Sequence, residues 1–465
     1  MTLIVTLPPG CENERRYACS VLLQDFLGLE VEFQQDAGKC ILISDDKGQR
    51  LSLDDAFFSA ANTAWLQPSS LPTACPTWDV RAAGFDGLLL KPKIPVLFGG
   101  DPQAPEFFTE SQGRISLGLD VFGSAFFMLS RYEEAVAPLL DAHGRCLGSG
   151  SCAAKFGFLY RPIIDEYTEI LWACLTRLWP RLERKPRSFA TAVSHDVDKP
   201  YEYAFRAPST IAKMAASRLL KQGDVPGALS IARTWVCARM GVATSDPCEN
   251  FDAIMDASEV RGLLSAFYFI VDRPAGDLDC DYRFLHPLIQ RLMQRISRRG
   301  HEVGLHASYL SYRDPGRLTA ECSMLKDACH RSGIRQAKWG SRQHFLRWAT
   351  PDTFAACTAA GLDYDASLGY ADQLGFRCGV CREYPAYDVR QRHALAIIER
   401  PLLAMDCTVM DPRYMGLGTS SRALAALVEI KQICRHFKGT FSLLWHNSRL
   451  VDPKELGLYL STLDA

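Results

Sequence analysis

The sequence predicts an α/β protein in which a parallel sheet, closed into a barrel or open and doubly wound, follows a smaller α/β or α+β domain. Two observations lead to this prediction. From residue 189 onward, short apolar runs alternate with longer segments of helical periodicity, which is the rhythm of a parallel sheet with helical crossovers. At 465 residues the chain also exceeds the length that one hydrophobic core normally serves. We therefore expect more than one domain.

The composition is that of a globular protein, and it argues against several classes of partner. Hydrophobic residues make up 48% of the chain and charged residues 23%. A net charge of -1 gives no electrostatic reason to expect binding to nucleic acid or to an anionic membrane. No run of about 18 uninterrupted apolar residues is present, so no transmembrane helix is predicted.

The amino terminus and the cysteines together suggest a cytoplasmic protein. No basic leader followed by a long apolar stretch opens the chain, so we expect no secretory signal. The 17 cysteines are odd in number and scattered, which favours reduced thiols that fill the core. Cys378 and Cys381 have the spacing of a zinc knuckle. No second cysteine pair of this spacing accompanies them, so we do not expect a zinc knuckle.

Residues 1–185 are predicted to form the smaller, amino-terminal domain, of unknown function. Its strand-like runs are TLIVTLP, LEVEFQQ, CILISDD and IPVLFGG. Apolar residues three and four apart predict helices in RRYACSVLLQDFLG, LDVFGSAFFMLSRYEEAV and RPIIDEYTEILWACLTRLW. The charged, proline-broken stretch ERKPRS at 183–188 is typical of a domain junction.

Residues 186–465 are predicted to form the second domain, with strands and helices in alternation. The strand candidates are FATAVSH, LLSAFYFIV, HEVGLH, RQAKWG and TFSLLWH. The segment 206–245, after the first of these strands, has the pattern of a basic helical insertion. Its arginines and lysines are interpreted as a solvated face rather than as a ligand-binding one.

Polar residues gather where the predicted strands end, and in parallel α/β folds functional groups collect at the carboxyl ends of strands. Asp196 and Asp198 end the first strand of this domain, and Arg342 follows a later one. Five of the ten histidines lie in or beside strand ends: His195, His301, His306, His344 and His446. Several histidines converging with two aspartates predict a metal site or an acid–base site.

Four of these segments resemble the motifs of the polysaccharide deacetylases, which are metal-dependent carbohydrate esterases built on a distorted (β/α) barrel. The segments are SHDVD at 194–198, GHEVGLH at 300–306, SRQHF and SLLWHNS. GHEVGLH is the most specific of them, and their order adds to the resemblance, which covers about residues 189–450. The amino-terminal runs IPVLFG, SAFFMLSRYEE and RPIIDEY are similar to an uncharacterised domain that precedes one branch of deacetylase-like proteins.

The resemblance implies a fold of deacetylase type and a role for each matching residue. It implies that Asp196 is the catalytic base and that Asp198 and His306 hold a divalent metal, with zinc as the first choice. It also implies that Arg342 pairs with Asp196, although a purely structural ion pair is the alternative. His446 is implied as the general acid, because a histidine donates a proton well near neutral pH.

One departure from the family pattern concerns the third metal ligand. Leu310 stands four residues after His306, where the family usually has its second histidine, and leucine does not ligate a cation. Hydrolytic zinc sites usually have three protein ligands and a water. Among the remaining histidines, His446 is needed as an acid, and strand alternation turns His195 away from the aspartates. We therefore predict His344 as the third ligand, within about 4 to 5 Å of the other two.

The segment YDASLGYADQLGFRCG, which begins at Tyr364, is predicted to be a loop over the pocket, with an ordinary packed loop as the alternative. As a pocket loop it would let Asp365 and Arg377 bind hydroxyl or anionic groups. Trp445 beside His446 is expected either to line the pocket or to belong to the core. The expected substrate is an acylated sugar, free or as a sugar–lipid or nucleotide–sugar intermediate.

These residues predict a metal-dependent hydrolase that removes an acyl group, such as acetyl, from a sugar. The resemblance places such a reaction in the biosynthesis of bacterial surface polysaccharides. Two alternatives stay open at this point. One is a catalytically inactive, deacetylase-like protein that binds sugar or acts as a scaffold. The other is a glycosidase on the same barrel, with two carboxyl groups that flank a groove.

Overall fold

The computed structural model describes residues 1–242 and 246–465, so the end of the predicted insertion, 243–245, lies outside the described residues. Two large sheets organise the chain, one of six strands and one of nine, and a separate two-stranded ribbon accompanies the first. Within the described ranges no helix combines the length and the apolar character that crossing a bilayer requires.

The six-stranded sheet belongs to the amino-terminal part of the chain and has the order β2-β1-β3-β4-β8-β7. The pair β5–β6 forms the separate ribbon. The strands of this part are β1 Leu3–Leu7, β2 Val31–Gln35, β3 Ile41–Ser44, β4 Arg50–Leu53, β5 Thr77–Asp79, β6 Lys93–Pro95, β7 Phe108–Ser111 and β8 Arg114–Leu117. Its helices are α1 Glu12–Cys19, α2 Ala56–Ala61, α3 Val121–Leu129, α4 Tyr132–Val136, α5 Cys152–Lys155 and α6 Ile163–Leu178. A π-helical turn, Ser20–Phe26, continues α1.

Helix α3 is the central helix of this part. Its sequence VFGSAFFML is apolar on every side, and all nine residues are buried, as expected for a helix that has no solvent face. Asp120 begins the helix, because its carboxylate accepts a hydrogen bond of 2.7 Å from the Gly123 amide. The Phe126 and Phe57 rings lie 5.9 Å apart, which joins α3 to α2.

The nine-stranded sheet has the order β14-β15-β13-β12-β11-β10-β9-β17-β16 and curls into an open half-barrel. Eight neighbouring strands are parallel, and β14 runs antiparallel at one edge. The strands are β9 Ala190–Val197, β10 Ser265–Phe269, β11 Glu302–Ala307, β12 Gly340–Gln343, β13 Tyr364–Asp365, β14 Tyr384–Asp388, β15 His393–Glu399, β16 Ala404–Met405 and β17 Thr440–Leu444. The helices are α7 Pro208–Gln222, α8 Val225–Arg239, α9 Phe251–Glu259, α10 Pro287–Arg298, α11 Pro315–Arg331, α12 Asp352–Ala359, α13 Asp406–Met410, α14 Ser421–His436 and α15 Pro453–Asp464.

One predicted strand, RQAKWG, is wrong in position. The strand is β12, which begins at Gly340, the last residue of that run. Upstream, the Gln336 side chain bonds both the amide and the carbonyl of Val303 and so occupies the groups that a neighbouring strand would use. Strand β12 itself is the polar sequence GSRQ, fully buried, which hydrophobic periodicity does not detect.

The amino-terminal helices cover the β14 edge of the nine-stranded sheet. The Tyr17 hydroxyl donates a 2.6 Å hydrogen bond to the carbonyl of Pro385, and the Trp65 indole donates a 2.9 Å bond to that of Val389. The Tyr17 and Tyr387 rings pack with centroids 4.8 Å apart. A covered edge strand cannot template pairing with another chain. One continuous apolar core extends across both parts of the molecule.

A buried ion-pair network also joins the two parts. Glu134, in α4, accepts two hydrogen bonds from Arg377, of 2.9 and 2.8 Å, and two from Arg131, of 3.1 and 3.0 Å. Burial would raise the pKa of Glu134, but the two guanidinium groups outweigh it and lower that pKa to about 2. The carboxylate therefore stays ionised and pairs with two arginines that are shielded from water.

We predict that Glu134→Gln lowers the free energy of unfolding by about 3 kcal/mol, because removal of one partner leaves buried charge without compensation. Urea denaturation of the full chain measures this loss. Asp79→Asn, which breaks the exposed pair between Asp79 and Arg81, is the matched control and should change stability little. Equal, small effects of the two substitutions would contradict the structural importance of the buried network.

Candidate active site

A cavity of about 220 Å³ opens at the carboxyl ends of the strands in the nine-stranded sheet. Five of the six residues predicted to be catalytic or metal-ligating line it directly. Its lining residues are His143, Arg145, Asp196, Asp198, His306, His344, Phe345, Leu346, Met405, Cys407, Arg413, Tyr414 and His446.

Asp198, His306 and His344 form a compact group on one side of this cavity. The Nε2 atom of His306 lies 3.3 Å from Oδ1 of Asp198, and the Nε2 atom of His344 lies 3.7 Å from Oδ2. The two imidazole rings have centroids 4.8 Å apart, and one potential ligand atom of each of the three residues lies within 4.8 Å of the others. This spacing meets the requirement that three ligands of a single ion lie close together.

The hydrogen bonding of these side chains fits a divalent cation. The Nδ1 atom of His306 lies 2.9 Å from the carbonyl oxygen of Arg342. Because a carbonyl only accepts, Nδ1 must carry the proton, which leaves the lone pair of Nε2 directed toward Asp198. The Oδ1 atom of Asp198 is buried and has no hydrogen-bond partner among the residues that the structure describes. One carboxylate and two imidazoles are a ligand set typical of hydrolytic zinc sites.

Without a cation, the charge balance of this group depends on a proton on His344. Burial opposes protonation, but Asp198, with help from Asp279, raises the pKa of His344 to about 9. Asp279 lies with its Oδ1 atom 3.7 Å from Nδ1 of His344. A ligating imidazole is neutral, so a cation held here would take the place of that proton as the counter-charge of Asp198.

An unusual backbone turn follows His344. Phe345 and Leu346 have φ angles of 60° and 56°, in the left-handed region that large side chains rarely adopt. Both residues line the cavity. Strain of this kind is typically found at functional sites, where the surrounding structure holds it in place. In this protein the strained turn lies where the chain leaves β12 and enters the wall of the cavity.

Asp196 is held by Arg342. One guanidinium nitrogen donates a 3.0 Å bond to Oδ1 of Asp196 and a 2.9 Å bond to the Ser194 hydroxyl, and Nε donates a 3.0 Å bond to the carbonyl of Ala366. The guanidinium also stacks 4.7 Å above the Tyr268 ring. Arg342 is buried behind the carboxylate and does not line the cavity, so it acts on Asp196 rather than on a substrate.

His446 is oriented by Asp406, a residue that the sequence did not indicate. The Asp406 carboxylate accepts a 2.7 Å bond from the His446 amide and lies 2.9 Å from its Nδ1 atom. Burial opposes protonation, but Asp406 outweighs it and raises the pKa of His446 well above its ordinary value. Nε2 then faces the cavity, 3.6 Å from Oδ2 of Asp198. Asp406 follows the two-residue strand β16, too short for sequence periodicity to detect.

Cys407 creates a second group of potential ligands with Asp406 and His446. One feature disfavours a cation there. The Nδ1 atom of His446 is already directed to Asp406. The group of Asp198, His306 and His344 is therefore the better metal site.

The three residues predicted to bind substrate do not line the cavity. Asp365 is fully buried, and its carboxylate accepts bonds of 2.6 Å from the Ser341 hydroxyl and 2.8 Å from the Ser367 amide. Arg377 is engaged with Glu134, and Trp445 is buried. The segment that begins at Tyr364 is packed between the two parts of the molecule, which corresponds to the packed-loop alternative. Asp365 and Arg377, in this segment, bond buried partners and are not exposed to solvent.

Two of the histidines counted at strand ends also lie away from the cavity. His301 precedes β11 and lies at the amino end of that strand, where Nδ1 accepts a 2.9 Å bond from the Ser265 amide. His195 faces the opposite side of β9 from Asp196 and bonds the carbonyl of Trp445 at 2.7 Å. Burial lowers the pKa of His195 to about 4, so this residue is a neutral core histidine.

The amino-terminal part contributes two residues to the cavity that sequence reasoning missed. The Nδ1 atom of His143 lies 3.1 Å from the Tyr309 hydroxyl. Arg145 donates a 3.0 Å bond to the Tyr414 hydroxyl and a 3.3 Å bond to the carbonyl of Phe345. No sequence signal could link a turn near residue 143 to motifs more than fifty residues away. The cavity wall is thus built from both parts of the chain.

Comparisons with known proteins match a family model to the amino-terminal part of the chain and find distant structural likenesses over 60% of the chain. A family of unknown function, DUF7033, matches residues 3–180. No curated protein matches the sequence.

Three solved structures are similar to this chain, and each comparison covers 60% of this chain and 84% of the other. One is described as a polysaccharide deacetylase from Mycobacterium smegmatis, with 16% identity and a TM-score of 0.38. The PuuE allantoinase and a polysaccharide deacetylase from Pseudomonas aeruginosa PAO1 each have 11% identity and a TM-score of 0.35. Values this low do not decide the reaction, which must be argued from the residues of the cavity.

We predict that His344→Ala lowers the affinity for Zn²⁺ by at least about 100-fold, because it leaves two protein ligands instead of three. Calorimetric titration of the metal-depleted protein measures this change. Cys407→Ser, which alters the second group of potential ligands, is the matched control and should leave the affinity within about threefold of the wild type. The opposite ranking of the two variants would move the metal to the second group.

Proposed function

We propose that this protein is a metal-dependent hydrolase that removes an acyl group, such as acetyl, from a sugar. The observation that carries the proposal is the convergence of three functional groups on one cavity. The ligand set of Asp198, His306 and His344 lies between a carboxylate held by Arg342 and an imidazole held by Asp406. Metal-assisted hydrolysis of an amide or ester uses a cation site together with a base and an acid.

The metal would be held by Asp198, His306 and His344. When bound, a divalent cation supplies Lewis-acid chemistry, since it polarises an acyl carbonyl and lowers the pKa of a water molecule. The chain fixes the direction of two of these ligands through further contacts. The Arg342 carbonyl orients His306, and Asp279 lies behind His344. Such outer contacts are typical of functional metal ligands.

Asp196 is proposed as the general base. One of its oxygens is occupied by Arg342, and the other lies 3.5 Å from Nε2 of His306, on the side of the cavity where the metal ligands meet. The guanidinium fixes the direction of the carboxylate and leaves its second oxygen without a bond to Arg342. The free oxygen is therefore placed to accept the proton of the attacking water.

His446 is proposed as the general acid. Asp406 holds the imidazole in one orientation and keeps its proton in place, since it raises the pKa of His446. Nε2 points into the cavity and could donate that proton to the departing amine or alkoxide. The proposed base, Asp196, is thus paired with the Arg342 guanidinium. The proposed acid, His446, is paired with the Asp406 carboxylate.

The position of the two aspartates does not favour the glycosidase alternative. Asp196 and Asp198 both lie within 3.5 Å of the same His306 nitrogen, at 3.5 and 3.3 Å. Glycosidases use two carboxyl groups on opposite sides of the scissile bond. Here the two carboxylates share one side of the cavity.

The proposed substrate is an acylated sugar, free or carried as a sugar–lipid or nucleotide–sugar intermediate. A cavity of about 220 Å³ has room for an acyl group and part of a sugar ring. Its outer wall carries Arg145, Arg413 and Tyr414, side chains that can donate hydrogen bonds to sugar hydroxyls. We also propose that residues 1–185 form a domain that completes this wall and that the reaction serves bacterial surface-polysaccharide biosynthesis.

The direct test is release of acetate from a panel of N- and O-acetylated sugars by the full-length protein. We expect release that stops when the metal is removed by a chelator and returns when Zn²⁺ is restored. Acetate release that survives complete removal of metal would contradict the metal-dependent mechanism. Failure across the panel with metal bound would support the inactive alternative.

A second test is Asp196→Asn. Loss of the base should lower the rate of acetate release about 10²- to 10⁴-fold, while Zn²⁺ affinity stays close to that of the wild type. Thermal stability should fall, because the buried Arg342 loses its counter-charge. Asp365→Asn, which alters a buried aspartate outside the cavity, is the matched control and should affect stability more than turnover in folded protein. Full activity of a correctly folded Asp196→Asn protein would refute the assignment of the base.

A further inference from the structure

A helical hairpin, α7 and α8, presents large apolar side chains to solvent. It follows the first strand of the nine-stranded sheet. Leu220 is 82% exposed, Leu229 66% and Met240 74%. Leu219, Val225 and Val236 are about half exposed. Single exposed apolar residues are common on protein surfaces, but a contiguous set of them marks an interaction site.

The exposed apolar residues of α8 fall on one line along the helix. Val225, Leu229, Val236 and Met240 are separated by four, seven and four positions. At 100° per residue they lie within about 60° of one another around the helix axis. The buried residues are on the other side of the helix, and they are Ile231, Thr234 and Ala238. The exposed line, which we call the apolar stripe, is therefore not used to pack the hairpin itself.

Basic residues accompany the apolar stripe. Residues 207–242 contain five arginines or lysines and a single acidic residue, Asp224, which pairs with Arg218 at 2.8 Å. Helical geometry places Arg233 and Arg239 on the two flanks of the stripe, within about 40° of its edges. The net charge of -1 for the whole chain hides this local excess of positive charge.

The base of the hairpin is tied to the candidate active site. Asn447, directly after His446, donates bonds of 3.0 and 3.1 Å to the carbonyls of Lys199 and Cys248, on the two sides of the hairpin. The Asn250 side chain returns a bond of 3.0 Å to the Asn447 carbonyl. Lys199 follows Asp198 in sequence. The chain segments that lead into and out of the hairpin are therefore anchored beside His446, which lines the cavity.

We propose that the apolar stripe, with its flanking arginines, binds an anionic lipid surface, so that the hairpin lies in the membrane interface beside the cavity. An apolar stripe bordered by cationic side chains is the pattern of interfacial helices, which bury apolar groups while arginines contact lipid phosphates. A second copy of this chain would bring the same arginines to the contact, and like charges oppose that pairing. The inference does not depend on the reaction proposed above.

The test is sedimentation of the full-length protein with vesicles. We expect binding to phosphatidylcholine vesicles that contain phosphatidylserine, weaker binding to phosphatidylcholine alone, and a loss of binding as salt is raised. Leu229→Glu with Met240→Glu should lower the partition coefficient at least about tenfold. Arg233→Gln and Arg239→Gln should each lower it about fivefold on the anionic vesicles.

The matched control is Val260→Glu with Leu264→Glu, which places two acidic groups at residues that are 78% and 65% exposed near the amino end of β10. This pair should bind vesicles like the wild type, and thermal unfolding should confirm that all variants are folded. Failure of the wild type to bind anionic vesicles would overturn the proposal. Concentration-dependent self-association that Leu229→Glu with Met240→Glu abolishes would also overturn it, since a second copy would then cover the stripe.

Discussion

The placement of two carboxylates, Asp196 and Asp198, at the end of one central strand is the constraint on which the rest of the site depends. Charge in a poorly hydrated place must be balanced, and other strands of the same sheet supply the partners. Strand β12 brings Arg342 to Asp196, while β11 and the turn after β12 bring imidazoles to Asp198. Because the strands are parallel, their carboxyl ends meet at one edge, and the partners arrive there together.

The amino-terminal part of the chain both packs against the larger sheet and contributes to the wall of the cavity. Its helices cover the β14 edge of the larger sheet, and Glu134 neutralises Arg377 from that sheet's loops. The same part supplies His143 and Arg145 to the wall of the cavity. A half-barrel leaves one side of its mouth open, and the amino-terminal turn occupies part of that opening. Under the proposed function, substrate selection would depend on both parts, although the proposed catalytic groups all belong to one.

The motif residues were predictable from sequence because short polar segments after apolar strands must converge at one sheet edge. Reasoning by elimination also named His344, which the structure places beside Asp198. Asp406 was not predicted, because the strand before it has only two residues. The position of β12 was not predicted, because this strand is polar although it is buried. Asp365 and Arg377 were predicted as pocket residues, because sequence alone does not distinguish a charged side chain that bonds buried partners from an exposed one. Nothing in the sequence around His143 and Arg145 indicates that these two residues line the cavity.

The most direct test of the central claim is a crystal structure of the protein grown with Zn²⁺, with anomalous diffraction measured on both sides of the zinc absorption edge. The account predicts one anomalous peak in the cavity, about 2.0 to 2.2 Å from the ligand atoms of Asp198, His306 and His344. A peak between Asp406, Cys407 and His446 instead, or no peak in the cavity from crystals soaked with excess Zn²⁺, would contradict it.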